Sequence, residues 1–199
     1  MCIKCRHQLP LTGFVHLNDN NTEKIFFGRV KIENAASFIW FHKKSITQRL
    51  IHDLKYKGNQ KAGRFIGRWM GAEMLKSDRF KEIDMVIPVP LSKRKLRNRG
   101  YNQVSEFARA LSEMLSCEYK EDILSRNDSS TSQTFKSRQI RNFGSAPVFT
   151  LNSDLYLSGK HILVADDVIT TGATLENCIK QFSHIPNLRV SIVSIALTA

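Results

Sequence analysis

Residues 162–174 read Ile162-Leu163-Val164-Ala165-Asp166-Asp167-Val168-Ile169-Thr170-Thr171-Gly172-Ala173-Thr174, and this run decides the fold class. Four apolar residues in a row predict a strand buried on both faces. Two carboxylates then stand at its end, and a Thr/Gly turn opens the helical pattern of residues 175–182. Open α/β sheets bind ligands outside the carboxyl ends of their strands, so Asp166 and Asp167 are expected at the ligand edge. Gly172 lets the backbone approach an oxyanion closely. The hydroxyls of Thr170, Thr171 and Thr174 add donors, and the first N–H groups of the helix, at Ala173 and beyond, point to the same spot. A phosphate fits that turn. Carboxylates facing it would repel it, which assigns them to sugar hydroxyls or to a divalent cation. The parts describe a phosphorylated sugar held at both ends. The same run also reads as a βα connection without a ligand.

Working outward, 188–197 predicts a last buried strand, 35–41 an apolar strand, and 84–90 a strand ending in prolines. Helices are expected over 45–56, over 61–76 with Phe65, Ile66, Trp69, Met70 and Met74 as its apolar stripe, and from Asn102 to about Cys117. A short segment through Ile123 and Leu124 reads as a further strand. Strands alternating with helices imply a mainly parallel sheet with right-handed crossovers. Residues 11–33 are polar with a turn at Asn18-Asp19-Asn20-Asn21, and residues 1–10 hold the loop-like Cys2-Ile3-Lys4-Cys5. The expected organisation is an N-terminal segment, 1–33, followed by one α/β domain, 34–199.

Composition excludes several classes. No apolar run approaches the about 18 residues of a membrane span, and the start lacks a basic-then-apolar leader, so a cytoplasmic address is expected. Cys2, Cys5, Cys117 and Cys178 do not form a secreted disulfide framework, and the last two read as small core hydrophobes. A net charge of +12 suits anionic partners, whether diphosphate-bearing substrates or nucleic acid. The densest basic stretch is Lys93-Arg94-Lys95-Leu96-Arg97-Asn98-Arg99, directly after a strand rather than in a tail. It reads as a basic loop running to Tyr101, either a site or a solvated surface. Few aromatics interleave with it in the sequence, so no stacking platform for single strands is evident.

The 162–174 run resembles the signature by which type I phosphoribosyltransferases bind phosphoribosyl pyrophosphate (PRPP). The string Arg99-Gly100-Tyr101-Asn102-Gln103 after Ile87-Pro88-Val89-Pro90 narrows the resemblance. So do Leu54-Lys55-Tyr56-Lys57-Gly58, the later Gln133, Arg138, Arg141 and Asn142, and the N-terminal Cys-x-x-Cys. Together they are similar to the ComF family, phosphoribosyltransferase-like proteins associated with competence and DNA uptake in bacteria, over nearly the whole chain. The resemblance implies a type I phosphoribosyltransferase fold with an N-terminal hood-like region, and Mg²⁺ bound with PRPP. It places the 5′-phosphate at Thr170, Thr171, Gly172, Ala173 and Thr174, and the ribose hydroxyls at Asp166 and Asp167. The diphosphate falls to Lys93, Arg97, Arg99, Gly100 and Asn102, with a catalytic loop at 126–146 closing over the site. Cationic groups there would neutralise charge that grows on the leaving diphosphate.

Two departures from the family pattern matter. Thr170 stands where 6-oxopurine enzymes carry an Asp base, which disfavours hypoxanthine or guanine salvage. ComF proteins carry paired cysteine knuckles, whereas here Cys2 and Cys5 form only half of a zinc ribbon, so Zn²⁺ is expected only with the missing half present. Three functional readings stand. They are a Mg²⁺-dependent phosphoribosyltransferase acting on a small ribose phosphate, a DNA-uptake accessory binding single-stranded DNA or a helicase-like partner, and a sensor of phosphoribosyl nucleotides without turnover.

Overall fold

The structure, a computed structural model, describes residues 3–127, 147–154 and 156–198. The helices are α1 (Ile3–His7), α2 (Asn21–Phe26), α3 (Ile46–Tyr56), α4 (Gln60–Met74), α5 (Lys93–Arg99), α6 (Ser105–Leu115) and α7 (Ala173–Lys180). The strands are β1 (Ala35–Phe41), β2 (Met85–Pro88), β3 (Glu118–Tyr119), β4 (Leu124–Arg126), β5 (Phe149–Leu151), β6 (His161–Ile169) and β7 (Arg189–Thr198). Five strands form one parallel sheet in the order β1-β7-β6-β2-β3. Its central strands β7, β6 and β2 are buried almost end to end, which is why they read as continuous apolar runs rather than as alternation.

The strand order dictates the layers. From β2 the chain moves through α6 to β3, and from β6 it moves through α7 to β7 in the opposite direction across the sheet. Right-handed crossovers running in opposite directions lie on opposite faces, so α6 and α7 sandwich the sheet. The β1-to-β2 connection travels the same way as β2-to-β3 and puts α3 and α4 with α6. There α4 meets α6 through Gly63, Gly67 and Gly71, one per helical turn. A Cβ on Gly67 would lie 2.5 Å from the Phe107 carbonyl oxygen, and one on Gly71 would lie 2.7 Å from Met114 Cβ. The buried face of α4 is therefore these glycines with Ile66, Met70 and Met74. Phe65 and Trp69 of the expected stripe stand half-buried at its flank, Trp69 edge-on to Phe38.

The N-terminal residues close the free edge of β1. Trp40 N–H donates to the Pro10 carbonyl and Thr12 N–H to that of Phe38, so the chain runs antiparallel along the strand. The Asn18–Asn21 turn becomes a capped helix start. Asn20 accepts from the Thr22 and Glu23 N–H groups, and Glu23 reaches back to the Asn20 N–H. Phe14, Val15 and Phe26 of this polar-looking stretch sit in the core.

Four expectations are corrected. Strand β6 does not stop at the acidic pair but continues to Ile169, because β7 pairs with it as far as Ile169, whereas β2 pairs with it only up to Ala165. The basic stretch expected as a loop is helix α5, capped by the Ser92 hydroxyl on the Lys95 N–H and ended by Gly100 at φ +77°. Leu124 belongs to an antiparallel pair, β4 with β5, outside the main sheet, and the strand after α6 is Glu118–Tyr119. Cys5 lies on a helix rather than a loop. Residues 128–146, most of the expected catalytic loop with Gln133, Arg138, Arg141 and Asn142, lie outside the described residues, as does Cys2.

Replacing Gly by Ala in an exposed helix is worth about 1 kcal/mol in propensity, whereas overpacking a tight contact costs about 1–3 kcal/mol. At Gly67 the obstacle is a backbone carbonyl that cannot rotate away. Gly67→Ala should therefore lower stability by about 1–2 kcal/mol in urea unfolding. An unchanged or raised midpoint would show that α4 and α6 can part without cost.

Candidate functional site

Neighbouring strands whose connections leave in opposite directions open a crevice at their carboxyl ends, and β2 and β6 are that pair. The residues that follow them are α5 after β2 and the Thr/Gly turn with α7 after β6. The two stretches singled out in the sequence thus meet at one edge of the sheet.

At the turn, Asp166, Val168 and residues 169–175 line a small concavity. Thr170, Thr171 and Ala173 are exposed and Thr174 is half-exposed, while Gly172 is buried. Gly172 has φ +75° and caps α7, whose Glu176 N–H returns to the Gly172 carbonyl. A Cβ there would lie 2.5 Å from Ile25 Cγ2 and 3.0 Å from Phe26 Cε1. The glycine is thus required by its backbone angle and by α2 behind the turn, and the turn's outer side stays open. Arg29 fastens the same turn, donating to the Thr171 carbonyl at 2.7 Å and pairing with Glu176.

The acidic pair divides. Successive strand residues face opposite sides, and Asp166 lines the concavity while Asp167 points to the α3 and α6 layer. Both are buried. Burial first, and then the charge of Asp167, push the Asp166 carboxyl up to about 8, against the pull of the Asp167 N–H at 2.8 Å and of Lys55 and Arg126. Asp167 Oδ2 accepts from Gln103 Nε2 at 2.8 Å and pairs with Lys55 Nζ at 3.1 Å.

Around the crevice, Arg99 Nη1 donates to Gln103 Oε1 at 2.6 Å, and its guanidinium lies 5.2 Å from the centre of the Tyr56 ring. The Tyr101 hydroxyl donates to the Leu54 carbonyl at 2.6 Å and accepts from the Gly58 N–H at 3.0 Å. Asn102 donates to the Val89 carbonyl and accepts from the Val104 N–H. The Leu54–Gly58 and Arg99–Gln103 strings are therefore one packed corner.

Helix α5 buries no residue, and Lys93, Arg94, Lys95 and Arg97 meet no carboxylate among the described residues. The structure therefore brings together Asp166, Asp167, Arg99, Gly100, Asn102 and the turn at the β2–β6 edge, with both ends of the Asn102 amide committed to backbone. Sequence reasoning missed the position of Lys55 and the pull of Arg126. The basic residue inside an otherwise amphipathic α3 was the available signal for the first.

Among the described residues no group of three or more His, Cys, Asp or Glu side chains is placed for a metal. No helix of theirs is long and apolar enough to cross a membrane. Cys178 is buried on α7 and Cys117 half-buried after α6; burial raises both thiols, Cys117 to about 11. A larger hollow of about 430 Å³, lined by Arg6, His7, Leu9, Leu11 and Trp69, contains none of these groups.

No protein-family model matches the chain. Over 129 residues, 63% of this chain and 56% of the relative, it is 31% identical to DNA utilization protein YhgH of Escherichia coli O157:H7. It is 28% identical to the protein of that name in Salmonella typhi over the same coverage. It is 32% identical over 115 residues to Competence protein ComFC of Streptococcus pneumoniae, covering 57% of this chain and 48% of that protein. The aligned part thus spans about half the length of the curated relatives it matches. A solved hypoxanthine phosphoribosyltransferase from Staphylococcus aureus aligns with 68% of this chain and 63% of that chain at 17% identity and a TM-score of 0.39. The chain is thus similar to DNA-utilization and competence proteins, and its parallel sheet carries the Asp-Asp and Thr-Thr-Gly run at the carboxyl edge of its strands.

Proposed function

We propose that the β2–β6 crevice binds PRPP or a related ribose phosphate together with Mg²⁺ and supports displacement of diphosphate at the anomeric carbon by a nitrogen nucleophile. The observation that carries this reading is the meeting, at one sheet edge, of an open Thr/Gly turn at a helix start, a buried carboxylate beside it, and an exposed basic helix. In this reading residues 170–174 take the 5′-phosphate through the first N–H groups of α7 and the threonine hydroxyls. Asp166 accepts from the ribose hydroxyls. Lys93, Arg97 and Arg99 face the diphosphate, whose charge grows as the glycosidic bond breaks, so their effect is largest in the oxocarbenium-like transition state. Mg²⁺ suits one carboxylate plus substrate phosphates, which is what the concavity offers, and when bound it would offset diphosphate charge. Thr170 supplies no general base, so proton removal from the nucleophile does not fall to that position.

A second reading, a scaffold for single-stranded DNA, gains one observation. The structure brings Tyr56, with the His52 ring tilted at 48° to it and 5.1 Å away, against Arg99 at the end of α5, giving the basic surface an aromatic side chain that the linear sequence separates from it. Binding to single strands whose affinity falls steeply with salt, without ribose-phosphate affinity, would favour it.

Two outcomes test the first reading. Ala173 is exposed in the first turn of α7, where an added carboxylate favours the helix but occupies the anion's place. Ala173→Asp should weaken ribose 5-phosphate binding at least about tenfold in calorimetry and leave the melting temperature unchanged or raised. Equal affinity in the variant would remove the phosphate from this turn.

The second outcome concerns Asp166. Its folded pKa lies above its unfolded one, so the native state holds a proton that the unfolded chain has released, and the group's contribution to stability falls as pH rises from about 4 to about 8. In EDTA, Asp166→Asn should melt above wild type, by a margin that widens from pH 5 to pH 8. A margin independent of pH would mean that Asp166 is ionised throughout.

A further inference from the structure

Asp167 is engaged inside the protein through one of its two oxygens. Its Oδ2 takes both the Gln103 amide and the Lys55 ammonium, on the opposite side of β6 from the concavity that Asp166 lines. Gln103 is itself buried, and its two ends are not interchangeable. Nε2 donates to the carboxylate while Oε1 accepts from Arg99. Turning the amide over would set an oxygen against a carboxylate and an NH₂ against a guanidinium, so one orientation is fixed by charge at both ends. Arg99 is held from a third direction by the Tyr56 ring. Its remaining N–H groups have no protein partner among the described residues. A planar guanidinium fixed in orientation with donors to spare is suited to an oxyanion.

We propose that Lys55, Asp167 and Gln103 form a positioning unit that fixes the Arg99 guanidinium for the diphosphate. This inference rests on the reading of the crevice as a ribose-phosphate site. The unit spans three elements, α3, β6 and the start of α6. It turns the charge buried in the sheet into the orientation of a cation at the crevice.

The test separates the two halves of the ligand. Magnesium diphosphate and ribose 5-phosphate are titrated in turn into wild type, Gln103→Met, Arg99→Met and the double variant. Each single substitution should weaken magnesium diphosphate about tenfold and leave ribose 5-phosphate within about twofold. The double variant should bind diphosphate no more weakly than Arg99→Met, because Gln103 acts only through the arginine. Arg99→Lys, which can still donate to Gln103, should restore part of the loss.

Equal losses for both ligands in Gln103→Met, or losses that multiply in the double variant, would overturn the unit. If the buried Gln103 variant does not fold, Lys55→Met carries the same arm. Wild type that binds neither ligand removes the ribose-phosphate reading, and the unit then stands or falls on a urea-unfolding cycle between Asp167→Asn and Lys55→Met. Non-additive effects support it, and additive effects overturn it.

Discussion

A carboxylate placed in the middle of a buried strand has to be compensated where it stands, and Asp167 imposes that condition on the structure around it. Burying an unpaired charge costs several kcal/mol, and removing one partner of a buried pair typically costs about 3–5 kcal/mol. The ammonium of Lys55 from α3 and the amide of Gln103, just ahead of α6, meet the condition together. Both helices are thereby drawn to one point of β6. Tyr101 repeats the connection through the backbone of the α3 terminus. The corner that faces the crevice is therefore set by a charge inside the sheet, with helix propensity a minor contributor.

On the opposite face the same chemistry has a different outcome. Asp166 faces α7, where buried Cys178 is a neighbour, and among the described residues it has no direct cation partner; Lys55 and Arg126 act on it through their fields. Its proton is held well above the ordinary carboxylate range as a result. A group in that state responds to whatever positive charge or hydroxyl donor reaches the concavity, whereas Asp167, already paired, does not. Perturbed titration in a crevice at a sheet's carboxyl edge is the kind of feature that separates a site from a plain βα connection.

Much of this was legible in the sequence because the signals were local. The run 162–174 announced its strand, turn and helix, since a buried parallel strand must be apolar and a left-handed turn residue before a helix is most easily glycine. The extent of β6 was not legible. Two aspartates look like a strand end, and pairing with β7, together with the Lys55 partner of Asp167, carries the strand through them. The basic stretch hid a helix because lysine and arginine patterning without an apolar face gives no periodicity to read. Tyr56 and Arg99 stand 43 residues apart in sequence, so their contact is a product of topology alone. The glycines of α4 read as poor helix formers, and their use becomes visible only with α6 against them.

Helix α2 adds the last constraint. Ile25 and Phe26 fill the space behind Gly172, and Arg29 holds the Thr171 carbonyl, so the turn is backed by protein on one side and open on the other. An anion can reach the first N–H groups of α7 only from the open side, where Thr170, Thr171 and Ala173 are exposed. A titration of isotope-labelled protein with ribose 5-phosphate, followed by amide resonances, addresses this directly. The account predicts that the Gly172, Ala173 and Thr174 amides shift most and saturate together, with the α2 amides following. Shifts confined to α5, or to the hollow at Arg6 and Trp69, would contradict it.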